Sequence, residues 1–152
     1  IGVRYPQNLM FGHGGLSIHD TSQSQNLGNC YFISGMVAFA EDEGRFKDIF
    51  VLKEVNELGI YAFNLYIRGR PFVVVIDDYI PFVQGGTSSE TLPAFANIGA
   101  DGALWGPLLE KVWAKINGNY EHTAAGWQHE ALRIFSGAPS YDYLTSSYSE
   151  DQ

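Results

Sequence analysis

Apolar residues recur at helical spacing in three parts of the chain. Over residues 30–41 they follow one another at steps of three and four, which places them on one face of a helix. The same spacing predicts a helix over Trp105–Asn117, ended by the typical stop signal Asn117-Gly118. A shorter helix is predicted over about residues 128–135. Each of these helices would bury one face in a common core.

Residues 49–83 show the alternation that is typical of antiparallel strands. In the segment 60–67, Tyr61, Phe63, Leu65 and Ile67 share one face, and a turn at 68–70 leads into a second, β-branched run. The order of elements is helix, strands, helix, helix, which predicts the α+β class rather than βαβ alternation. A polar loop is expected over residues 84–91, and an irregular lead-in before residue 30.

Two adjacent carboxylates, Asp77 and Asp78, end the second strand. Such a pair is a candidate for acid–base chemistry. We expect instead that they cap the strand and pair with Arg68 and Arg70 across the turn.

Composition excludes several classes of function. The chain has 152 residues, 9 Lys and Arg against 17 Asp and Glu, and a net charge of −8, so we expect no nucleic-acid partner. One cysteine excludes an internal disulfide or a cysteine-based metal site, and it favours a reducing, cytoplasmic setting. No apolar run approaches the ~20 residues of a membrane span. The chain starts at Ile1 and shows no basic stretch before an apolar run, so we expect no signal peptide in it and expect it to be cut from a longer protein.

The single cysteine, Cys30, stands at the predicted start of a buried helix, with Asn29 as a candidate N-cap. The helix dipole favours the thiolate there, which is the nucleophilic form, and Gly28 allows a substrate to approach the backbone closely. Gln23, Gln25 and Asn26 are candidate amide donors to an oxyanion. The alternative is that Cys30 is a small buried apolar residue.

The segment Ser22-Gln23, followed by Leu27-Gly28-Asn29-Cys30-Tyr31-Phe32, resembles the catalytic-cysteine segment of calpain-type proteases, which reads Leu-Gly-Asp-Cys-Trp. The Gly-Asn-Cys-Tyr spelling is similar to a calpain-like branch found in many protists. Residues 73–81 resemble the strand, aspartate pair and proline of the family, and residues 104–118 resemble its second long helix. The resemblance continues through Gly126 and Glu130 and covers residues 20–137.

The resemblance implies half of a papain-like fold, namely a helical subdomain with an N-terminal catalytic-cysteine helix and a small antiparallel sheet. Residues 1–19 would be a lead-in, 20–137 the first subdomain of the protease core, and 138–152 a linker or the start of the second. The base histidine and its asparagine fall ~130–150 residues after the cysteine in papain-type enzymes, beyond the end of this chain. We expect none of the four histidines present to replace that base, and we expect the chain alone to be inactive.

The implied site has Cys30 as nucleophile, Gln23 as oxyanion donor, and Gly28 and Gly126 against the substrate. Gly126 could equally be an ordinary turn glycine. The family glutamine stands six residues before the cysteine, where this chain has Ser24. A one-residue insertion would bring Gln23 into register, so the donor is Gln23, Gln25 or neither.

The resemblance also raises calcium as a cofactor, and here the chain departs from the family. Asp20 matches one acidic ligand only if the insertion is allowed, Ala103 stands in place of the other, and Asp101 is out of register. We predict that this calcium site is weak or absent, and we expect no other metal site or cofactor. The tryptophan after the family cysteine is replaced by Tyr31, which preserves an aromatic ring.

Two functions follow from these observations. The first is a calpain-like endopeptidase that cleaves intracellular proteins, with a peptide substrate and a second protease subdomain as its partners. The alternative is a catalytically inactive scaffold of the same fold within a larger assembly, for example a cytoskeletal one.

Overall fold

Helices and small antiparallel sheets build the part of the chain that the computed structural model describes, residues 2–3, 8–84, 91–141 and 143. The predicted α+β class is confirmed. The elements in chain order are β1 Gly2–Val3, α1 Cys30–Ala40, α2 Glu43–Lys47, β2 Ile60–Ile67, β3 Arg70–Asp77, β4 Ile80–Gln84, β5 Thr91–Pro93, α3 Trp105–Asn117, a 3₁₀ turn Glu121–Thr123, and α4 Gln128–Ser136.

The strands form two separate sheets. Strands β2 and β3 pair antiparallel from Ile60 opposite Asp77 to Ile67 opposite Arg70, and the second sheet has the order β1-β4-β5. As predicted, Tyr61, Phe63 and Leu65 of β2 point into the core and are buried. The short strand β1 was not expected in the lead-in. Most of the predicted loop over residues 84–91, and most of the tail after Tyr141, lie outside the described residues.

Helix α3 lies at the centre of the core. Its bounds are those predicted, and Trp105, Leu108, Leu109 and Val112 along its stripe are at most 1% exposed. Helix α1 packs on both α3 and α4. In the ranges described, no helix has the length and apolar character to cross a membrane.

Gly35 lies in the interior of α1, where a glycine is intrinsically unfavourable. A Cβ at this position would lie 2.5 Å from the Cβ of Ala131 in α4. The glycine therefore allows the two helices to approach closely.

The prediction that Asp77 pairs with Arg68 and Arg70 is wrong. The register puts Asp77 at the opposite end of the hairpin from Arg70, and its carboxylate forms an ion pair with Lys111 of α3 at 2.5 Å. Partial burial acts to raise the pKa of Asp77, but the hydrogen bonds from Lys111 and the backbone N–H of Tyr79 outweigh it and lower that pKa below its usual value. The pair joins the hairpin to α3.

Helix α2 was not predicted. The side chain of Asp42 accepts a hydrogen bond from the backbone N–H of Arg45, which caps this short helix. Five residues are too few for a periodic apolar pattern.

Candidate active site

Cys30 is the first residue of α1, and it is exposed. The backbone carbonyl of Asn29 accepts hydrogen bonds from the N–H groups of Phe32 at 2.9 Å and Ile33 at 3.2 Å, which begins the helix. The side chain of Asn29 does not cap the helix, contrary to prediction. The exposure of Cys30 contradicts the alternative of a buried apolar residue, and it leaves the thiol accessible at the positive end of the helix dipole.

The Asn29 side chain reaches inward to Glu110 of α3. Its Nδ2 donates to Glu110 Oε1 at 2.6 Å, and the backbone N–H of Ala96 donates to Glu110 Oε2 at 2.7 Å. Glu110 is 2% exposed and Asn29 is fully buried. Burial raises the pKa of Glu110, although the two hydrogen bonds act to lower it. This buried carboxylate therefore contacts the residue that directly precedes the candidate nucleophile.

Tyr31 fills the position of the family tryptophan with a ring that is half buried. Its hydroxyl accepts a hydrogen bond from Nε1 of Trp113 at 2.9 Å. Burial raises the pKa of Tyr31, and the negative charge of Glu130 acts in the same direction. A Cβ at Gly126 would lie 2.5 Å from the Tyr31 ring and 2.7 Å from Oε2 of Glu130, so only glycine fits against this ring without a shift.

The two glycines predicted to bind substrate belong to neighbouring segments. The backbone N–H of Ala125 donates to the carbonyl of Gly28 at 2.9 Å, which ties the loop before Cys30 to the loop before α4. Nothing lies within 4 Å of a Cβ built on Gly28, so its outer surface is open. Gly28 and Gly126 therefore flank Cys30 and Tyr31 from two chain segments.

Gln23 is exposed, and its side-chain Nε2 donates to the carbonyl of Leu27 at 2.5 Å. This bond uses one of the two amide hydrogens and leaves the other. Gln25, the other candidate donor, is also exposed. The oxyanion role of Gln23 stays a prediction.

Ser24 stands at the position of the family's glutamine, but its side chain bonds to the backbone of residue 94. Its hydroxyl donates to the carbonyl of Ala94 at 2.9 Å, and Nδ2 of Asn26 donates to the same carbonyl at 2.9 Å. Nearby, Nδ2 of Asn97 donates to the hydroxyl of Ser22 at 2.9 Å. The loop before Cys30 is thus fastened to residues 94–97.

The carboxylates considered for calcium accept hydrogen bonds from N–H groups. Oδ2 of the buried Asp20 accepts from the backbone of Ser17 at 2.9 Å and from Nε1 of Trp105 at 3.3 Å, and Oδ1 of Asp101 accepts from the backbone of Ala103 at 3.3 Å. Within the described ranges, no cluster of three or more His, Cys, Asp or Glu residues is suited to a metal ion. The weak or absent calcium site stays a prediction.

The raised pKa of Tyr120 makes the free energy of unfolding depend on pH in the alkaline range. Burial, followed by the negative charges of Glu110 and Asp77, raises the pKa of Tyr120 strongly, and its ring stacks on Phe95 at 4.1 Å. Because the pKa is raised in the folded state, the stabilisation is complete below the unfolded value of about 10 and is lost as the pH rises above it. We expect Tyr120→Phe to flatten the fall in unfolding free energy above pH ~10, measured by urea titration. The exposed Tyr141→Phe is the control, and equal slopes for both variants would contradict this prediction.

Comparison with known proteins identifies the family. A family model described as calpain family cysteine protease matches residues 4–152. The calpain-type cysteine protease ADL1 of Oryza sativa subsp. japonica is 36% identical over 124 residues, which are 82% of this chain and 5% of that protein.

Two animal relatives match at lower identity. Calpain-14 of Homo sapiens is 31% identical over 73% of this chain and 16% of its own length. The calpain-2 catalytic subunit of Bos taurus is 31% identical over 86% of this chain and 18% of its own length. The chain therefore spans less than a fifth of the length of each of these three relatives. Because the family model covers most of its residues, the chain belongs to the calpain family of cysteine proteases.

Proposed function

We propose that this chain is the cysteine-bearing part of a calpain-type endopeptidase, with Cys30 as its nucleophile. The observation that carries the proposal is an exposed thiol at the first position of a buried helix, in a chain of this family. An exposed thiol is accessible to a peptide substrate, and a cysteine sulfur attacks a carbonyl as the thiolate. The substrates would be intracellular proteins, and the setting the cytoplasm.

In this proposal the Cys30 sulfur attacks the carbonyl carbon of a peptide bond and produces a tetrahedral oxyanion. The backbone N–H of Cys30 and the remaining amide hydrogen of Gln23 are the donors proposed to stabilise that oxyanion. The base histidine and its asparagine would lie downstream of this chain, in a second subdomain. The histidine takes the thiol proton and returns it to the leaving amine, which leaves a thioester on Cys30 that water hydrolyses.

The substrate would lie along the backbone of Gly28 and Gly126. The support for this placement is the bond between Ala125 and Gly28, and the close packing of Gly126 on Tyr31. Residues 20–137 would form the first subdomain, preceded by the lead-in 1–19 and followed by a linker over 138–152.

A second candidate function is an inactive scaffold of the same fold. The observation that favours it is the engagement of the Gln23 amide with Leu27, together with Ser24 at the family's glutamine position. Loss of one oxyanion donor typically reduces the rate by ~10²–10³.

The test is the rate at which a thiol-directed epoxide peptide modifies Cys30 in the full-length protein, read by peptide mass spectrometry. We expect labelling well above that of a free model thiol, because an aligned cleft and a paired base accelerate the attack. Cys30→Ala is the control for the assignment of the label. Labelling of Cys30 no faster than the model thiol would favour the scaffold.

A further inference from the structure

Glu110 connects three parts of the candidate site from inside the core. It lies on α3, one of its carboxylate oxygens accepts from Asn29, and the other accepts from the backbone of Ala96. Hydrogen bonds to a carboxylate are stronger than those between two neutral groups. A residue that is 2% exposed therefore fixes the relative positions of the start of α1 and the segment 94–97.

The side chain of Asn29 is held in place mainly by its hydrogen bond to Glu110. Its Oδ1 is buried without a hydrogen-bond partner, and the bond from Nδ2 to Glu110 is the one its side chain makes within the described residues. A buried polar atom without a partner is destabilising, so Oδ1 does not help to hold this side chain in place. The position of Asn29, and with it the backbone that leads into Cys30, therefore depends on Glu110.

The segment 94–97 also holds the loop before Cys30, through hydrogen bonds to residues 22–26. The carbonyl of Ala94 accepts from Ser24 and Asn26, and Asn97 bonds to Ser22 through its backbone and its side chain. Glu110 thus holds the loop before Cys30 directly through Asn29 and indirectly through Ala96.

We propose that Glu110 is a positioning residue for Cys30, which aligns the thiol with a bound peptide by holding Asn29 and Ala96 in place. The inference rests on the proposed function, because it assigns a part to Glu110 in that reaction. A displacement of about 1 Å in a reacting group lowers a rate by as much as 10²-fold, so a loosened Asn29 is sufficient to matter.

The test compares two labelling reactions of Cys30 in the full-length protein. The epoxide peptide requires an aligned cleft, whereas iodoacetamide requires only an accessible thiol. We expect Glu110→Ala to lower the epoxide rate by ~10- to 100-fold and to leave the iodoacetamide rate within about threefold. Glu110→Gln should recover part of the epoxide rate, because its single side-chain oxygen still accepts an N–H group.

Leu109→Ala is the matched control, because Leu109 is 1% exposed and lies beside Glu110 on α3, and its truncation leaves a cavity while the bond between Glu110 and Asn29 keeps both partners. It should lower both rates together or neither. If Glu110→Ala does not fold, Asn29→Ala removes the other partner of the same bond and is expected to reduce the epoxide rate selectively. The inference predicts that Glu110→Gln and Asn29→Ala combine less than additively, because each loosens the same contact.

The outcomes separate this inference from the proposed function. A wild-type protein that reacts with the epoxide no faster than a model thiol would overturn both. A fast wild type whose ratio of the two rates is unchanged in Glu110→Gln and Asn29→Ala would overturn the positioning role alone. An equal change of that ratio in Leu109→Ala would also overturn it, since general loosening of the core would then explain the effect.

Discussion

Replacing Cys30 by alanine is expected to abolish peptide-bond hydrolysis by the full-length protein. Removal of a protease nucleophile lowers kcat by about a millionfold in a well-studied serine protease. Cys30 is exposed at the start of α1, and this chain contains no second cysteine to replace it. The measurement is the initial rate on a fluorogenic peptide, with the variant at the same concentration as the wild type.

Two variants control that experiment. Ser34→Ala removes an exposed hydroxyl that donates to the carbonyl of Tyr31 on the same helix, and activity should stay within about twofold. Cys30→Ser preserves the size of the side chain but exchanges the thiol for a weaker nucleophile, and it should be nearly as inactive as alanine. Appreciable activity in Cys30→Ala would show that another residue performs the chemistry.

Replacing Trp105 by alanine is expected to cost ~3–5 kcal/mol of unfolding free energy, the largest stability effect of a single substitution that we predict. Trp105 is fully buried, its ring contacts Phe46 edge-on at 5.0 Å, and its Nε1 donates to Asp20 at 3.3 Å. Its loss leaves a cavity beside Phe46 of α2 and removes a donor from the buried carboxylate of Asp20. The shift of the urea midpoint measures the cost, followed by hydrogen exchange of α3 in the full-length protein.

The matched control is Trp127→Ala. Trp127 is 60% exposed, so the same truncation at that position should change the unfolding free energy by no more than ~0.5 kcal/mol. Similar shifts for the two tryptophans would mean that Trp105 does not occupy the centre of the core.

The spacing of apolar residues along the chain was sufficient to predict the helices and strands that bury one face in the core. The bounds of α3 followed from its apolar stripe, and the inward face of β2 followed from the alternation of Tyr61, Phe63 and Leu65. The position of Cys30 at a predicted helix start left open whether it is a nucleophile or a small buried apolar residue, and it was singled out because the motif around it resembles that of one family.

Contacts between distant residues could not be predicted in this way. The sequence shows Glu110 as one acidic position in an amphipathic helix, and its contact with Asn29 spans 81 positions. Lys111 was likewise not recognised as the partner of Asp77, because the position of β3 relative to α3 is set only when the core is assembled. Gly35 is unfavourable in a helix interior by its own propensity, although the close approach of Ala131 requires a glycine there. In each case the contact is made by a residue from a different helix or strand, which the local sequence does not indicate.

The most direct test of the central claim is to trap the covalent intermediate. The full-length protein is mixed with a slowly hydrolysed ester substrate, quenched in acid, and digested for mass spectrometry. The account predicts that the acyl group is found on the peptide that contains Cys30, and that Cys30→Ala carries none. Turnover of the substrate with no acyl group on Cys30, or with the acyl group on another residue, would contradict it.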